Sequence, residues 1–181
     1  MYDTSRLQTL YFFIDLKTDG SKTWPRVIDA LQPLRDADYL AKVKDGKTFI
    51  PGPVTVIGTG NTPLDLVAPV KDRDFFFDAP LAKLDDPEFK DVTGLVSPIA
   101  STSFGAVLGE VNGDGEEPLN PKQLETVREQ LAIAKQRDIG GRYWDTPEWP
   151  IRKRNEVWRT LLKEGVALLN ADDLGAVREY F

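Results

Sequence analysis

The sequence predicts an α/β fold built on a parallel sheet, and three observations carry that prediction. Apolar runs of strand length, such as the one opening Leu10–Gly20 and the β-branched Val54-Thr55-Val56-Ile57-Gly58, alternate with stretches of helical periodicity. The connections between successive strands are of helix length, which suits βα units and parallel pairing. Several strands close on polar residues, namely Asp15 and Lys17, Asn61, Ser101, Asp145 and Asp172. In parallel α/β folds, function is carried by the loops at those strand ends.

The first strand is expected from Leu10 to the polar Thr18-Asp19-Gly20, which turns the chain out. Its unalternating apolar run suits a strand covered on both faces. Thr23 is a fitting N-cap with Pro25 just inside the next helix, whose apolar stripe is Trp24, Val27, Ile28 and Leu31. Leu34–Ile50 reads as a polar connection with a turn at Asp45-Gly46 and a short helix around Tyr39–Val43. After the strand Val54–Gly58, Gly58-Thr59-Gly60-Asn61 reads as a glycine-rich turn, because neither a dinucleotide fingerprint nor a P-loop is complete there. Leu64–Val70 follows as a short helix.

A short aromatic strand is expected within Arg73–Pro80, a loop over Leu81–Asp91, and a strand over Val96–Ser101 in which Pro98 belongs at the start or an edge. Gly105–Pro118 has the composition of a long exposed loop. Its tip, Asp114-Gly115-Glu116-Glu117, lacks the alternating oxygen ligands of a calcium loop. Pro121–Arg137 is the strongest helix, with Leu124, Val127, Leu131 and Ala134 on one face and Asn120-Pro121 as its start signal. Arg142–Pro147 makes a fifth strand, and Ile151–Lys163 a helix with Val157, Trp158, Leu161 and Leu162 inward and Gly165 as its stop. Val166–Asp173 makes the sixth strand and Leu174–Phe181 a last short helix.

Six such strands with polar ends match the rim of a (β/α)8 barrel that is two strand-helix units short, since a complete barrel takes about 250 residues. The expectation is therefore one domain over 1–181, an incomplete TIM (β/α)8 barrel with about six parallel strands and its first two units missing. At 181 residues the chain is long enough to bury a substantial core. Its net charge of -6 argues against a nucleic-acid backbone as partner, since phosphate tracks call for clustered Lys and Arg. No run approaches the roughly 20 apolar residues of a membrane span, and Met1–Arg6 does not resemble the basic start of a signal peptide. With 0 Cys, disulfides and thiolate chemistry are excluded; with 0 His, so is the commonest acid-base group near neutral pH. Any metal would be held by oxygen ligands, which suits magnesium or calcium.

Asp15 and Lys17 stand two residues apart and so leave the same face of a strand. They form either an ordinary ion pair at a strand end or an acid and a cation facing a cavity. In Arg142-Tyr143-Trp144-Asp145, Arg142 and Trp144 share one face and Tyr143 and Asp145 the other. Arg142 suits a phosphate oxygen and Trp144 a ring; alternatively Trp144 is core and Arg142 pairs with an acid. Asn61, at the end of the Gly-rich stretch, Ser101 and Asp145 are further substrate-facing candidates. Asp172-Asp173 suits capping of the last helix better than ligation. Arg152-Lys153-Arg154 is too small a basic cluster to indicate DNA or RNA.

The segments FFIDLKTDG with TW following, GPVTVIGTGNTPL, VSPIASTSF, AKQRDIGGRYWDTPEWPIRKRNEVWRTLLKEGV and LLNADDL, in this order, resemble the altered inheritance of mitochondria protein 6 family of phospholipase-C-like phosphodiesterases. The resemblance covers nearly the whole chain and implies the C-terminal part of a metal-dependent phosphoric diester hydrolase acting on small phosphodiesters, lipid-derived ones included. By likeness to the acid-x-Lys pair of glycerophosphodiester phosphodiesterases, it implies a ligand to a divalent cation, magnesium or calcium, at Asp15. By the same likeness Lys17 would be a phosphate-facing cation. Family members carry a His motif and paired acids on strands before this point, so the cation would not be bound tightly by this chain alone. General acid-base hydrolysis by the isolated chain should be weak, since loss of such groups typically removes about 10²–10⁴-fold each. The alternative is a non-catalytic barrel remnant that binds a phosphate ester or a partner protein. Open sheet edges would then favour self-association.

Overall fold

The computed structural model describes residues 8–111 and 117–180. The reading of Met1–Arg6 and the Asp114-Gly115-Glu116 part of the acidic tip lie outside the described residues. The chain divides into two compact units, one running to Asp78 and including Val92–Pro98, the other made of Ala79–Asp91 and the residues from Ile99 onward.

The first unit contains β1 (Leu10–Leu16), α1 (Gly20–Ala30), α2 (Gln32–Asp36), β2 (Lys42–Lys44), β3 (Thr48–Ile50), β4 (Val54–Gly60) and β5 (Phe76–Phe77). Its main sheet is parallel, in the order β1-β4-β5, with Leu10 opposite Val54 and Leu16 opposite Gly60. The central strand β4 is buried from Val54 to Gly58, as its β-branched run predicts. The strand β1 is not covered on both faces, since Leu10 (45% exposed) and Phe12 (44%) stay open to solvent; along its edges, β4 lies on one side and no described strand on the other.

Helix α1 begins earlier than expected because the Asp19 carboxylate, not Thr23, accepts the Lys22 backbone N–H at 3.2 Å. The Thr23 hydroxyl instead shares a hydrogen bond with Thr18 at 2.9 Å. This helix buries Trp24 completely, edge-on to Phe75 at 5.6 Å between ring centroids. Arg35 of α2 makes a bidentate ion pair with Asp74 at 2.5 and 2.9 Å, which raises the guanidinium above its ordinary pKa.

The helix expected around Tyr39–Val43 does not form. Lys42–Lys44 and Thr48–Ile50 instead pair as an antiparallel hairpin, because Asp45 (φ 54°) and Gly46 (φ 65°) both take the left-handed conformation of a tight hairpin turn. The Gly58–Asn61 stretch is likewise not a turn throughout, since β4 runs on to Gly60 and the chain turns only at Asn61. The expected helix over Leu64–Val70 is reduced to one 3₁₀ turn, Leu64–Leu66. Arg73 is buried; its guanidinium donates to the carbonyls of Val70, at 2.6 Å, and Leu95, and desolvation lowers its pKa.

The second unit contains β6 (Ala79–Pro80), β7 (Ile99–Ser103), α3 (Phe104–Leu108), α4 (Pro121–Gln136), β8 (Gly140–Trp144), α5 (Ile151–Glu164), β9 (Leu168–Leu169) and α6 (Leu174–Tyr180). The four strands form a parallel sheet in chain order, as βα units require. The expected aromatic strand over Arg73–Pro80 is thus two short strands, β5 and β6, belonging to different sheets. Part of the expected Gly105–Pro118 loop is helical, because the Ser103 side chain caps α3 by accepting the Ala106 N–H at 3.1 Å while Phe104 and Leu108 bury themselves. The expected sixth strand is short, only Leu168–Leu169.

Helix α4 starts in a complete capping box between Asn120 and Gln123, and Gln123 also donates to the carbonyls of Leu108 (2.8 Å) and Glu110 (3.1 Å). Val127, Leu131 and Ala134 are buried as their spacing predicts. In α5, Val157, Trp158 and Leu161 are buried but Leu162 is exposed, since it lies one position round the helix from the buried stripe. The architecture is α/β with mostly parallel sheets, the β2–β3 hairpin being antiparallel. Among the described residues no helix is long and apolar enough to cross a membrane.

Candidate functional site

The first unit brings Asp15 and Lys17 together at the C-terminal end of β1. Their two-residue spacing puts both on one face, and Lys17 Nζ reaches Asp15 Oδ2 at 2.7 Å. The pair is exposed, Lys17 at 81% of its side chain. Gly60 lies directly opposite Leu16, and a Cβ there would come within 2.2 Å of Asp15 Oδ1. With φ at +65°, this position needs glycine on both counts. Asn61 ties the two strand ends together: its backbone N–H donates to the Leu16 carbonyl (2.8 Å) and its side-chain amide to the Thr18 carbonyl (3.0 Å).

In the second unit, the register of the sheet assembles a larger polar group. Ser101 of β7 is opposite Arg142 of β8, and Arg142 is opposite Leu168 of β9. Two residues further along on the same face come Ser103, Trp144 and Asn170. The Arg142 guanidinium donates to Ser101 Oγ at 3.1 Å and to Asn170 Oδ1 at 2.5 Å. Both partners are neutral oxygens, so these two contacts orient the fork without cancelling its charge. Trp144 is 44% exposed, which sets aside its reading as a core residue.

Asp145 stands just past the strand in a left-handed backbone conformation (φ 60°), and its carboxylate accepts the Ser103 hydroxyl at 2.9 Å. A left-handed non-glycine residue costs conformational energy and draws attention as a candidate position. On the opposite face Tyr143 is buried, its hydroxyl donates to Gln130 at 2.7 Å, and burial pushes the phenol pKa up. That face is core, packed edge-on against Phe104. Asp173 caps α6 by accepting the Ala176 N–H at 2.9 Å, as expected of it.

Two residues of this group, Ser103 and Asn170, escape a reading of the sequence. Ser103 carries the signal of a helix cap, three residues before Ala106, and Asn170 follows an apolar pair at a strand end. Neither signal says that the residue stands beside Arg142 or Asp145, because strand register is a tertiary property.

A divalent cation finds few ligands here. Among the described residues, no group of three or more His, Cys, Asp or Glu is placed to hold a metal ion. Magnesium and calcium take about six or more oxygen ligands, whereas Asp15 offers one carboxylate, already engaged by Lys17. The described residues by themselves do not fit such an ion.

Comparison with known proteins agrees with the resemblance read from the sequence. Residues 1–78 match the AIM6-like phosphodiesterase domain. The chain is 58% identical to an altered inheritance of mitochondria protein 6 homolog of Arthroderma benhamiae over 184 residues, covering all of this chain and 56% of that protein. It is 34% identical to altered inheritance of mitochondria protein 6 of Eremothecium gossypii, over 96% of this chain and 46% of that one. With the protein of that name from Kluyveromyces lactis the identity is 23%, over 98% and 48% respectively. The chain spans about half the length of the curated relatives it matches. No solved structure matches it.

Proposed function

We propose, from the premise that this chain belongs to the altered inheritance of mitochondria protein 6 family, that it supplies the phosphate-gripping part of a phospholipase-C-like phosphodiesterase. In this reading the chain is the C-terminal portion of a (β/α)8-type enzyme, and its substrates are phosphoric diesters, lipid-derived ones among them. In the second unit Arg142 takes a non-bridging phosphate oxygen with its fork of donors; in the first unit Lys17 offers a cation at the end of β1. Ser101 orients Arg142, while Trp144 and Asp145 contact the organic part of the substrate; Asn61, in the first unit, is a substrate contact of its own. Asp15 contributes at most one oxygen toward a divalent cation. The observation that carries the reading is the guanidinium of Arg142 held between Ser101 and Asn170 at 3.1 and 2.5 Å. A pre-oriented, charged fork is what recognition of a phosphodiester requires.

Hydrolysis needs more than a grip. A general base must activate the attacking hydroxyl and a general acid must protonate the leaving alkoxide, and the chain contains 0 His for either task. The isolated chain is therefore a binder with little turnover. The same absence favours a second reading, a non-catalytic remnant that binds a phosphate ester or a partner protein. The two readings part when the remaining length of a relative is supplied, because only the first predicts that turnover then appears.

The direct test uses bis-p-nitrophenyl phosphate with magnesium or calcium, following binding by phosphorus NMR and turnover by released nitrophenolate. The expected result is measurable binding, turnover near the buffer rate, and a loss of binding of about tenfold or more in Arg142→Gln. Unchanged binding by Arg142→Gln overturns the assignment of the grip. Robust turnover by the chain alone, abolished in Asp15→Ala, replaces it with a self-sufficient enzyme.

A further inference from the structure

We propose that the substrates gripped at Arg142 are zwitterionic phosphodiesters, with the phosphate on the Arg142 guanidinium and an ammonium group one rung further along the sheet, on the Trp144 ring and the Asp145 carboxylate. The proposal rests on the reading of Arg142 as a phosphate grip, and it names the class of substrate that grip takes. Three observations lead to it. First, the register sets the guanidinium beside a rung of opposite character. Ser101 is opposite Arg142, and two residues further on, on the same face, Ser103 is opposite Trp144. Two residues of a parallel strand rise about 6.6 Å, so a phosphate on Arg142 has the next few atoms of its ester at Trp144. An ester of a two-carbon amino alcohol bridges that step, with phosphate at one end and nitrogen at the other.

Second, the Asp145 carboxylate is fixed at the Trp144 rung. Its Oδ2 accepts the Ser103 hydroxyl at 2.9 Å, and Ser103 Oγ in turn accepts the Ala106 N–H at 3.1 Å. The single proton of that hydroxyl is therefore committed to Asp145. This draws the carboxylate of a residue just past β8 across to the strand partner of Trp144. Among the described residues Asp145 makes no ion pair, and its Oδ1 meets no hydrogen-bond donor. An oriented carboxylate with one oxygen to spare is an acceptor for a cation.

Third, the segment leaving β8 displays aromatic rings and negative charge together. Trp144 is 44% exposed and Trp149 73%. Between Arg142 and Arg152 the chain carries the carboxylates of Asp145 and Glu148 and no Lys or Arg. An indole face and a carboxylate both attract a cation, through the ring quadrupole in one case and by direct charge in the other. A second anionic group is repelled there, and an uncharged polyol draws nothing from the charge. The ligand that uses both rungs is negative at one end and positive at the other.

The test titrates this chain with three methyl phosphodiesters, followed by phosphorus NMR: the 2-(trimethylammonio)ethyl ester, its uncharged carbon isostere the 3,3-dimethylbutyl ester, and the glyceryl ester. The expected result is binding of the ammonium ester about tenfold tighter than that of the isostere. Asp145→Asn removes the charge but tolerates the left-handed backbone, and it should lower that ratio about threefold while leaving the isostere's binding unchanged. Trp144→Leu should lower the ratio by about as much, and Trp144→Phe, which keeps an aromatic face, by less. Equal binding of the ammonium ester and the isostere by the parent chain overturns the inference. So does a ratio that survives both Asp145→Asn and Trp144→Leu, or tighter binding of the glyceryl ester, which would make the second rung a polyol site. Arg142→Gln should weaken all three esters alike. Unchanged binding in that variant overturns the grip itself, whereas a lost ratio with the Arg142 effect intact overturns only the zwitterion.

Discussion

The ends of β1 and β8 carry the same kind of groups and treat them differently. At β1, among the described residues, Lys17 pairs with Asp15 at 2.7 Å on an exposed surface. Such a pair contributes little to stability, since solvent screens it and ordering the long lysine side chain costs entropy. At β8, Arg142 is held by a serine from one neighbouring strand and an asparagine from the other side, and Asp145 is held by Ser103. The lesson is one of position in a sheet. A strand with neighbours on both sides can have its terminal side chains oriented by them, while an end strand leaves its own to water. The β8 end is thus oriented by its neighbours, and the β1 end is not.

The comparison predicts that the difference lies at the strand ends and not in the cores, and the largest effects should therefore be equal. Trp24 and Trp158 are both fully buried, one beneath each sheet's helices. Trp24→Ala and Trp158→Ala should each cost about 3–5 kcal/mol, measured by urea unfolding followed through a probe within the same unit. A much smaller cost for Trp24→Ala would mean that the first unit's core is also loose, and the contrast would extend below the surface.

How much of this was legible in the sequence follows the range of the interactions. The α4 helix, its Asn120 cap and its buried Val127, Leu131 and Ala134 were readable because they depend on residues three and four apart. The same holds for β4 and for Gly165 as the stop of α5. The hairpin over Lys42–Ile50 was announced by Asp45-Gly46 but hidden by its polar strands, which present no alternation to recognise. Helix α3 was hidden by Gly105 and Gly109, although Ser103 signalled its start. At the candidate site, Asp15, Lys17, Arg142 and Ser101 could be named from their places at strand ends. Ser103, on β7, and Asn170, just past β9, could not be attached to them, because β7 and β9 meet β8 only through a register that tertiary packing sets.

The two units also differ, by less, in how their helices begin. Asn120 closes a reciprocal box with Gln123, part-buried and extended by two more bonds to the end of α3, whereas Asp19 caps α1 with a single exposed bond of 3.2 Å. Asn120→Ala should cost about 1–2 kcal/mol and Asp19→Ala about 0.5 kcal/mol. Paired denaturation curves of the two variants check the order. Equal costs would show that burial of the box adds nothing, and the second unit would lose its claim to be the better braced.

The smallest expected effect tests the same bracing through pH. Glu164, at the end of α5, accepts from Arg128 of α4 at 2.7 and 3.0 Å, and the hydrogen bond from that guanidinium holds its carboxyl below the usual range near 4.5. A carboxyl whose pKa is lowered on folding binds fewer protons folded than unfolded in that interval. Its contribution is therefore complete above the unfolded value and fades as pH falls through the lower folded one. Since Arg128 is largely exposed, solvent keeps the contribution small. Glu164→Gln should leave a slightly flatter dependence of melting temperature on pH below about 5, read by calorimetry across that interval. A variant whose curve stays parallel to the parent's down to strong acid would mean that α4 and α5 are held by their apolar faces alone. The bracing of the second unit would then lie in its buried side chains and in the box at Asn120, with no share from its surface charges.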